Sequence, residues 1–525
     1  MNEDENLRRK SLRQTRVDGD STLTEIRPTL VWFRHDLRLG DNPALWAAVN
    51  RGSPVVCLYL LDDETPGDWA HGRASRWWLH HGLRALADDL DRCHALPLIL
   101  RRGRGEQVIA ELAEEIDAGA VFWNRSYAPF DREPDSRLKT RLREQGRDAR
   151  SFNGNLLSEP AHLRNKSGGE FKVFTPFYRT LSAQDVAEPL PAPSTGDLLA
   201  PPASLSAHLN SLSLNQLGLL PTAPDWSAGL QAHWTPGEAG AVARFTAFAE
   251  TAMADYEEGR NRPDRDACSR LSPFLKFGHI SPRQVWHWTL ARLGDDIALR
   301  EPGWAFLREI GWREFSYYLL YQFPTLLNRN WRPSFDGFPW RDDPAGYLAW
   351  SQGQTGYPMV DAGMRELWQT GWMHNRLRMI TGSFLVKHLL ISWQQGERWF
   401  WDTLVDADIA SNAASWQWVS GCGADAAPYF RIFNPISQGS KFDPEGSYTR
   451  RYVPEIAALD TRQLFSPWEA EPLTQKAAGI VPGETYPRPI VDHAQARARA
   501  LAAFASIKSS PEKSNSTTDQ KAQAA

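Results

Sequence analysis

Cysteine is scarce: Cys57, Cys93, Cys268 and Cys422 are the four in 525 residues, and no two form a CxxC pair. That excludes a disulfide-stapled scaffold and a zinc-ligand framework, and it suits a reducing compartment. Long apolar runs are missing as well. No stretch approaches the roughly 18 residues of a spanning helix, and the opening Met1-Asn-Glu-Asp lacks the basic-then-apolar order of a secretion signal. The expectation is a soluble, cytoplasmic protein without a membrane partner. Neither sign of charge dominates: 59 Lys and Arg against 63 Asp and Glu leave a net charge of -4. Any polyanion site must therefore be a local basic patch. There is no GxxxxGK phosphate loop, and the first predicted strand runs into Arg34-His-Asp-Leu-Arg-Leu-Gly-Asp-Asn42 instead of GxGxxG. Side chains of that size disfavour ordinary nicotinamide binding, which needs a glycine approach to the pyrophosphate.

What is abundant is tryptophan, 23 residues against 13 tyrosines. The length points to more than one domain. Short apolar runs at 29–33, 54–61, 96–100 and 120–123 alternate with stretches of helical spacing near 74–92, 105–117 and 131–146, the rhythm of a parallel sheet covered by helices. From 181 to 236 the composition shifts to Pro, Ala, Ser and Leu, which marks an interdomain linker. Beyond Gly237 helical periodicity returns at 238–257, 281–294, 303–321, 360–390 and 395–405. The predicted organisation is a flexible extension over 1–27, an α/β domain over 28–165, a linker over 166–237, an all-helical domain over 238–490, and a mostly disordered tail over 491–525.

Within the helical half, Glu309, Trp312, Arg313 and Ser316 fall at i, i+3, i+4 and i+7, so an acid, an indole and a guanidinium share one stripe. They read either as an Arg–Glu surface pair beside a core tryptophan or as the polar floor of a cavity. Asn375, Arg378, Met379 and Gly382 share a second stripe; His374 beside them has no paired base or nucleophile in the sequence, so no hydrolytic triad is predicted. Asp406 and Asp408 could bind Mg²⁺, cap a helix or accept from sugar hydroxyls; no metal site is assigned. Ser269-Arg270-Leu271-Ser272, ahead of a proline-started helix, is either an ordinary cap or a seat for a pyrophosphate.

Six ordered motifs together resemble the photolyase/cryptochrome family: Trp32–Asn42, Phe171-Lys-Val-Phe-Thr-Pro-Phe177, Ser269–Ser272, Trp312-Arg-Glu-Phe315, Gly371-Trp-Met-His-Asn-Arg-Leu-Arg378 and Phe433-Asn-Pro435. The resemblance implies a five-stranded parallel α/β antenna domain followed by an all-α domain holding FAD in a folded, U-shaped conformation. Its details point to a class I type cyclobutane pyrimidine dimer photolyase, near the bacterial group closest to plant cryptochromes. Asn375 stands where 6-4 photolyases carry a second histidine. Glu309 resembles the acid that hydrogen-bonds the dimer bases, and Asn412 matches the position facing flavin N5, where plant cryptochromes place aspartate.

By the same resemblance, Arg378 and Asp406 form an ion pair beside the isoalloxazine, and Asp408 lies on the FAD side. Tyr256, Ser269, Arg270, Leu271 and Ser272 meet the phosphates, with Cys268 where threonine is common. Trp312 and Trp418 wall the lesion pocket, with Met379 and Arg313 beside them. Arg260, Arg376 and Arg431 clamp DNA phosphates, which makes binding salt-dependent. Trp416, Trp393 and Trp340 form a hopping chain that photoreduces the flavin. The expected activity is light-driven repair of flipped-out dimers by electron transfer from reduced FAD, by a monomer, with methenyltetrahydrofolate favoured over a deazaflavin as antenna. The folate-binding relatives carry an Asn-Glu pair where Phe130-Asp131 stands here. The rival readings are a cryptochrome-type receptor without repair, a 6-4 photolyase, and a flavin-dependent dark oxidoreductase.

Overall fold

The computed structural model describes residues 27–206, 208–425 and 430–509. Five parallel strands, β1 (Thr29–Phe33), β2 (Val55–Leu61), β3 (Leu98–Arg102), β4 (Ala120–Asn124) and β5 (Asp148–Phe152), form one sheet in the order β3-β2-β1-β4-β5. The sheet is covered by helices α1 (Pro43–Arg51), α2 (Arg73–His94), α3 (Gly105–Glu115) and α4 (Pro129–Glu144). β1, β2 and β4 are buried throughout, as their unbroken apolar runs require of strands covered on both faces. β5, Asp-Ala-Arg-Ser-Phe, lies at the sheet edge. The strand order reverses direction at β1 and β4, which opens a crevice beyond their carboxyl ends.

The stretch over 166–237 contains, among its described residues, only short helices, of which α5 (Phe174–Ser182) is the longest, and the longer helices follow. Its principal elements are α6 (Glu238–Thr251), α7 (Ser272–Phe277), α8 (Pro282–Leu293), α9 (Ile297–Gln322), α10 (Pro358–Thr370), α11 (Asn375–Ser383), α12 (Trp393–Thr403), α13 (Ile409–Ser420) and α14 (His493–Ser509). The single helix predicted over 360–390 is broken: Gly371 ends α10 in the left-handed region at φ 67°, and the His374 side chain caps α11 by accepting from Arg376 N. A π-turn at Phe384–His388 closes that stretch.

The mostly disordered tail predicted from 491 is corrected by α14. Its buried Ala496, Ala500, Ala503 and Ile507 recur at helical spacing. A stripe made mainly of alanine gives little hydropathy contrast, which hides the helix in the sequence. The expected extension over 1–27 lies outside the described residues except for Arg27, which pairs with Asp117 at 2.5 Å; residues 510–525 also lie outside them.

The motif after β1 joins the two halves. Arg38, 1 % exposed, donates to the carbonyls of Gly278, Asp41 and Gly154 at 3.0, 2.7 and 2.6 Å. The Glu238 carboxylate accepts from Leu39 N and Gly40 N. Gly278 is required here: at φ 67°, a Cβ would stand 2.0 Å from the His35 carbonyl oxygen.

Glu314 fastens the segment after β5 to α9 by accepting from Leu157 N at 2.9 Å, with Arg313 Nη1 at 3.3 Å from its other oxygen. Burial pushes its pKa up from 4.5 to about 7, against the opposing pull of Arg313 and the Leu157 N–H. Between those values the folded protein holds a proton that the unfolded chain has released. The contribution is complete below pH 4.5 and fades as pH climbs through 7. Glu314→Gln is expected to flatten the fall in melting temperature across that window, and a parent-like slope in a thermal melt series would count against it.

Candidate functional site

A cavity of about 530 Å³ opens among α9, α11 and α13, a size suited to a cofactor. From α9 it receives Glu309, Trp312, Arg313 and Ser316; the polar-floor reading of that stripe holds. The postulated Arg–Glu surface pair does not form within the stripe. Glu309 pairs with Arg260 at 2.7 Å, and Arg313 lies 4.9 Å over Tyr317 while donating to the Asn155 carbonyl. Trp312 is backed by Phe174 of α5, centroids 3.6 Å apart and 6° from parallel. That stack gives the Phe171–Phe177 motif a structural role that its sequence did not disclose.

From α11 come Asn375, Arg378 and Met379, and from α13 Asn412, Trp416 and Trp418. Arg378 Nη2 donates to Asp406 Oδ2 at 2.8 Å, and Ser272 Oγ donates to the same oxygen at 2.6 Å. Asp406 is buried and its other oxygen has no partner among the described residues. Asp408 serves differently: it caps α13 by accepting from Ser411 N and takes the Tyr317 hydroxyl at 2.5 Å. The two carboxylates thus face separate partners. Asn412 donates from Nδ2 to the Glu397 carbonyl at 3.1 Å, which leaves its side-chain oxygen as a free acceptor, among the described residues, on the cavity wall. An orphaned buried carboxylate oxygen and a free amide oxygen call for donors from a bound group, and the N–H and hydroxyl groups of a flavin nucleotide fit that demand. Trp416 approaches α12 so closely that a Cβ at Gly396 would lie 2.2 Å from its ring.

The other predicted residues lie outside the cavity lining. Ser269, Arg270 and Leu271 form the turn into α7, with Arg270 at φ 50° and 4.9 Å over Trp372. Tyr256 is buried against Phe248 and Phe306, with the Arg260 guanidinium 5.4 Å from its ring. Arg376 donates to Asn261 Oδ1 and lies 4.2 Å over Phe442; neither partner was found from sequence, where nothing signals so distant a pairing. Arg431 is exposed, 4.7 Å over Phe433. Trp393 is fully buried, its Nε1 donating to Asn330, and half-buried Trp340 packs on Phe338. The close ring neighbours of Trp416 among the described residues are Phe400 at 4.9 Å and Trp350 at 6.3 Å. His374 is buried, and burial followed by the nearby Arg376, Arg270 and Arg378 pushes its pKa down to about 3. It is a neutral helix cap.

A second, smaller pocket of about 120 Å³ lies between the halves at the crevice beyond β1 and β4. Trp32, His35 and Tyr59 face Lys276, Tyr317 and Trp401 across it, and its wall shares Arg313, Ala407 and Asp408 with the larger cavity. Burial pushes Lys276 down to about 7 against the pull of Asp408 and Asp406, and it donates to Ser75 Oγ. Asp131 here is occupied by Arg34 at 3.0 Å.

Residues 29–194 match the family model described as DNA photolyase, and residues 306–506 match the FAD binding domain of DNA photolyase. The chain is 51% identical to a deoxyribodipyrimidine photo-lyase of Agrobacterium fabrum, over 92% of this chain and 98% of that one. It is 37% identical to Cryptochrome-1 of Arabidopsis thaliana, over 90% of this chain and 69% of that one. Among solved structures it resembles a bacterial class III photolyase from Agrobacterium tumefaciens, with a TM-score of 0.88 and 50% identity over 93% of this chain and all of that one.

Proposed function

The chain belongs to the photolyase/cryptochrome family, and from that premise we propose that it is a photolyase repairing cyclobutane pyrimidine dimers in DNA. The observation that carries this reading is the cavity itself: an acid, Glu309, and an amide, Asn375, stand beside Trp312, Trp418 and Met379 on the walls that also bear Asp406, Arg378 and Asn412. When bound, FAD supplies the light-driven electron that opens the cyclobutane ring and is then recovered. The protein's own residues bind and orient. Asp406 and Arg378 hold the flavin side, with Ser272 and the Ser269–Leu271 turn, Tyr256 and Asp408 toward the rest of the nucleotide. Asn412 offers an acceptor without adding a negative charge. The two indoles and Met379 enclose an extruded lesion whose polar edges reach Glu309 and Asn375, while Arg260, Arg313, Arg376 and Arg431 meet the DNA backbone. Trp416, Trp393 and Trp340 carry electrons inward from the surface.

The similarity to the class III photolyase favours that class over class I. We place the protein in the cytoplasm as a monomer, with 28–165 as the antenna unit, 166–237 as the linker and the lesion site within 238–490. We assign an antenna chromophore to the interdomain pocket, with methenyltetrahydrofolate favoured over a deazaflavin; the absorption spectrum of the released pigment distinguishes them. The cryptochrome reading, a receptor without repair, is the rival that the Arabidopsis similarity keeps in view.

The test is direct. Reduced protein, mixed with an oligothymidylate containing cyclobutane dimers, should restore absorbance near ~260 nm, where unsaturated pyrimidine rings absorb, under blue light and not in darkness. No recovery with FAD bound and reduced would favour the receptor.

A further inference from the structure

The segment from Phe430 to Asn434 carries the exposed Arg431, and it is held by side chains that the repair reading leaves without a role. The Phe430 ring lies flat against Phe504 of α14, centroids 4.5 Å apart and 11° from parallel. The Lys387 ammonium is 4.6 Å from the centroid of the same Phe430 ring and donates to the backbone carbonyl of Arg431 itself. Lys387 is 3 % exposed and has no carboxylate ion pair among the described residues. Burial, with Arg431 adding to it, pushes its pKa down to about 7. A lysine so placed and engaged with one backbone carbonyl is unusual on stability grounds alone. Phe433 N donates to Ser383 Oγ at 3.3 Å. On the other side of the π-turn, Arg499 of α14 donates to the His388 carbonyl at 2.6 Å, and the His388 and His493 rings meet at 2.9 Å between Nε2 and Nδ1. The C-terminal helix thus grips both the π-turn and the segment that bears Arg431.

We propose that Lys387 and Phe504 are positioning residues for DNA: they fix the backbone around Arg431 so that its guanidinium is held over Phe433, pre-ordered for a backbone phosphate. Neither side chain lines the flavin-sized cavity, so α14 sets lesion affinity without entering the chemistry. The physical gain is the avoided immobilisation of a long, flexible cation at the moment of binding. The inference rests on Arg431 as a phosphate clamp.

Dissociation constants of the FAD-loaded full chain for an oligothymidylate carrying one cyclobutane dimer, measured by anisotropy across a salt series, test both ideas apart. Arg431→Ala should weaken binding about tenfold and lower the salt slope by about one. Phe504→Leu, which keeps apolar volume but not the flat stack, and Lys387→Met should each weaken it about fivefold. Phe504→Tyr should keep parental affinity, and all variants should retain their FAD. Phe504→Leu combined with Arg431→Ala should bind no more weakly than Arg431→Ala alone, because both act through one contact. Parental binding by Arg431→Ala would overturn the clamp and the proposal with it. A weakened Arg431→Ala beside parental Phe504→Leu and Lys387→Met, or losses that multiply in the double variant, would overturn the positioning role alone.

Discussion

Asp406→Asn is expected to lower FAD affinity about ten- to a hundredfold. The side chain of Asp406 is 2 % exposed against 26 % for Arg378, and their contact is 2.8 Å. Asparagine fits the same space but cannot balance the guanidinium. Oδ1 of Asp406, unpartnered among the described residues, would lose its charge as an acceptor for the bound group; a hydrogen bond to a charged group is worth about 1.5–3 kcal/mol, and each 1.4 kcal/mol is about tenfold in binding. Ser272 Oγ loses its charged acceptor in the same change. The readout is the ratio of flavin absorbance to protein absorbance after purification, followed by titration of the apoprotein with FAD. Arg378 loses its carboxylate with or without the cofactor, so the melting temperature in the absence of FAD should fall as well. Full flavin occupancy with parental affinity would remove Asp406 from the cofactor site.

Glu309→Ala should separate binding from repair. Glu309 and Arg260 are paired at 2.7 Å, yet their side chains stay 30 % and 27 % exposed, so the pair itself adds little to stability. The Glu309 carboxylate stands on the cavity wall with Trp312 and Asn375, where a hydrogen bond accepted by a charged group from a desolvated base is worth about 1.5–3 kcal/mol. Repair rate under limiting blue light is therefore expected to fall about ten- to a hundredfold with FAD retained, and Glu309→Gln should fall less. Affinity for dimer-containing DNA should hold or rise, since Arg260 is released toward the phosphates. Unchanged repair in Glu309→Ala would assign the lesion contact elsewhere.

The parts of this architecture that the sequence discloses are those written in local periodicity. β1, β2 and β4 stand out as apolar runs, and the Glu309–Ser316 stripe follows from helical geometry alone. What escapes is written across distance. Arg260 finds Glu309 and Phe174 finds Trp312 only when separate helices are packed, and no spacing rule reports that. β5 has one fully buried residue, Ala149, and so too little apolar signal. The Gly371 break is local and was legible in principle: a glycine followed three residues on by a capping histidine stands in the sequence, but the apolar spacing around it masks the interruption. α14 fails for the opposite reason, because alanine satisfies its packing without the contrast that marks an amphipathic face. Six separated motifs compensate for these losses, since their order constrains the fold where periodicity cannot.

Arg38 has a consequence for the antenna proposed above. One guanidinium ties the loop after β1 to the segment after β5 and to the turn after α7, while Arg313, Ala407 and Asp408 wall both cavities at once. A pigment in the crevice and a flavin in the helical half would then keep a fixed separation and a fixed angle between their transition dipoles. Resonance transfer between them would proceed at one rate throughout the population, without averaging over relative tumbling of the halves.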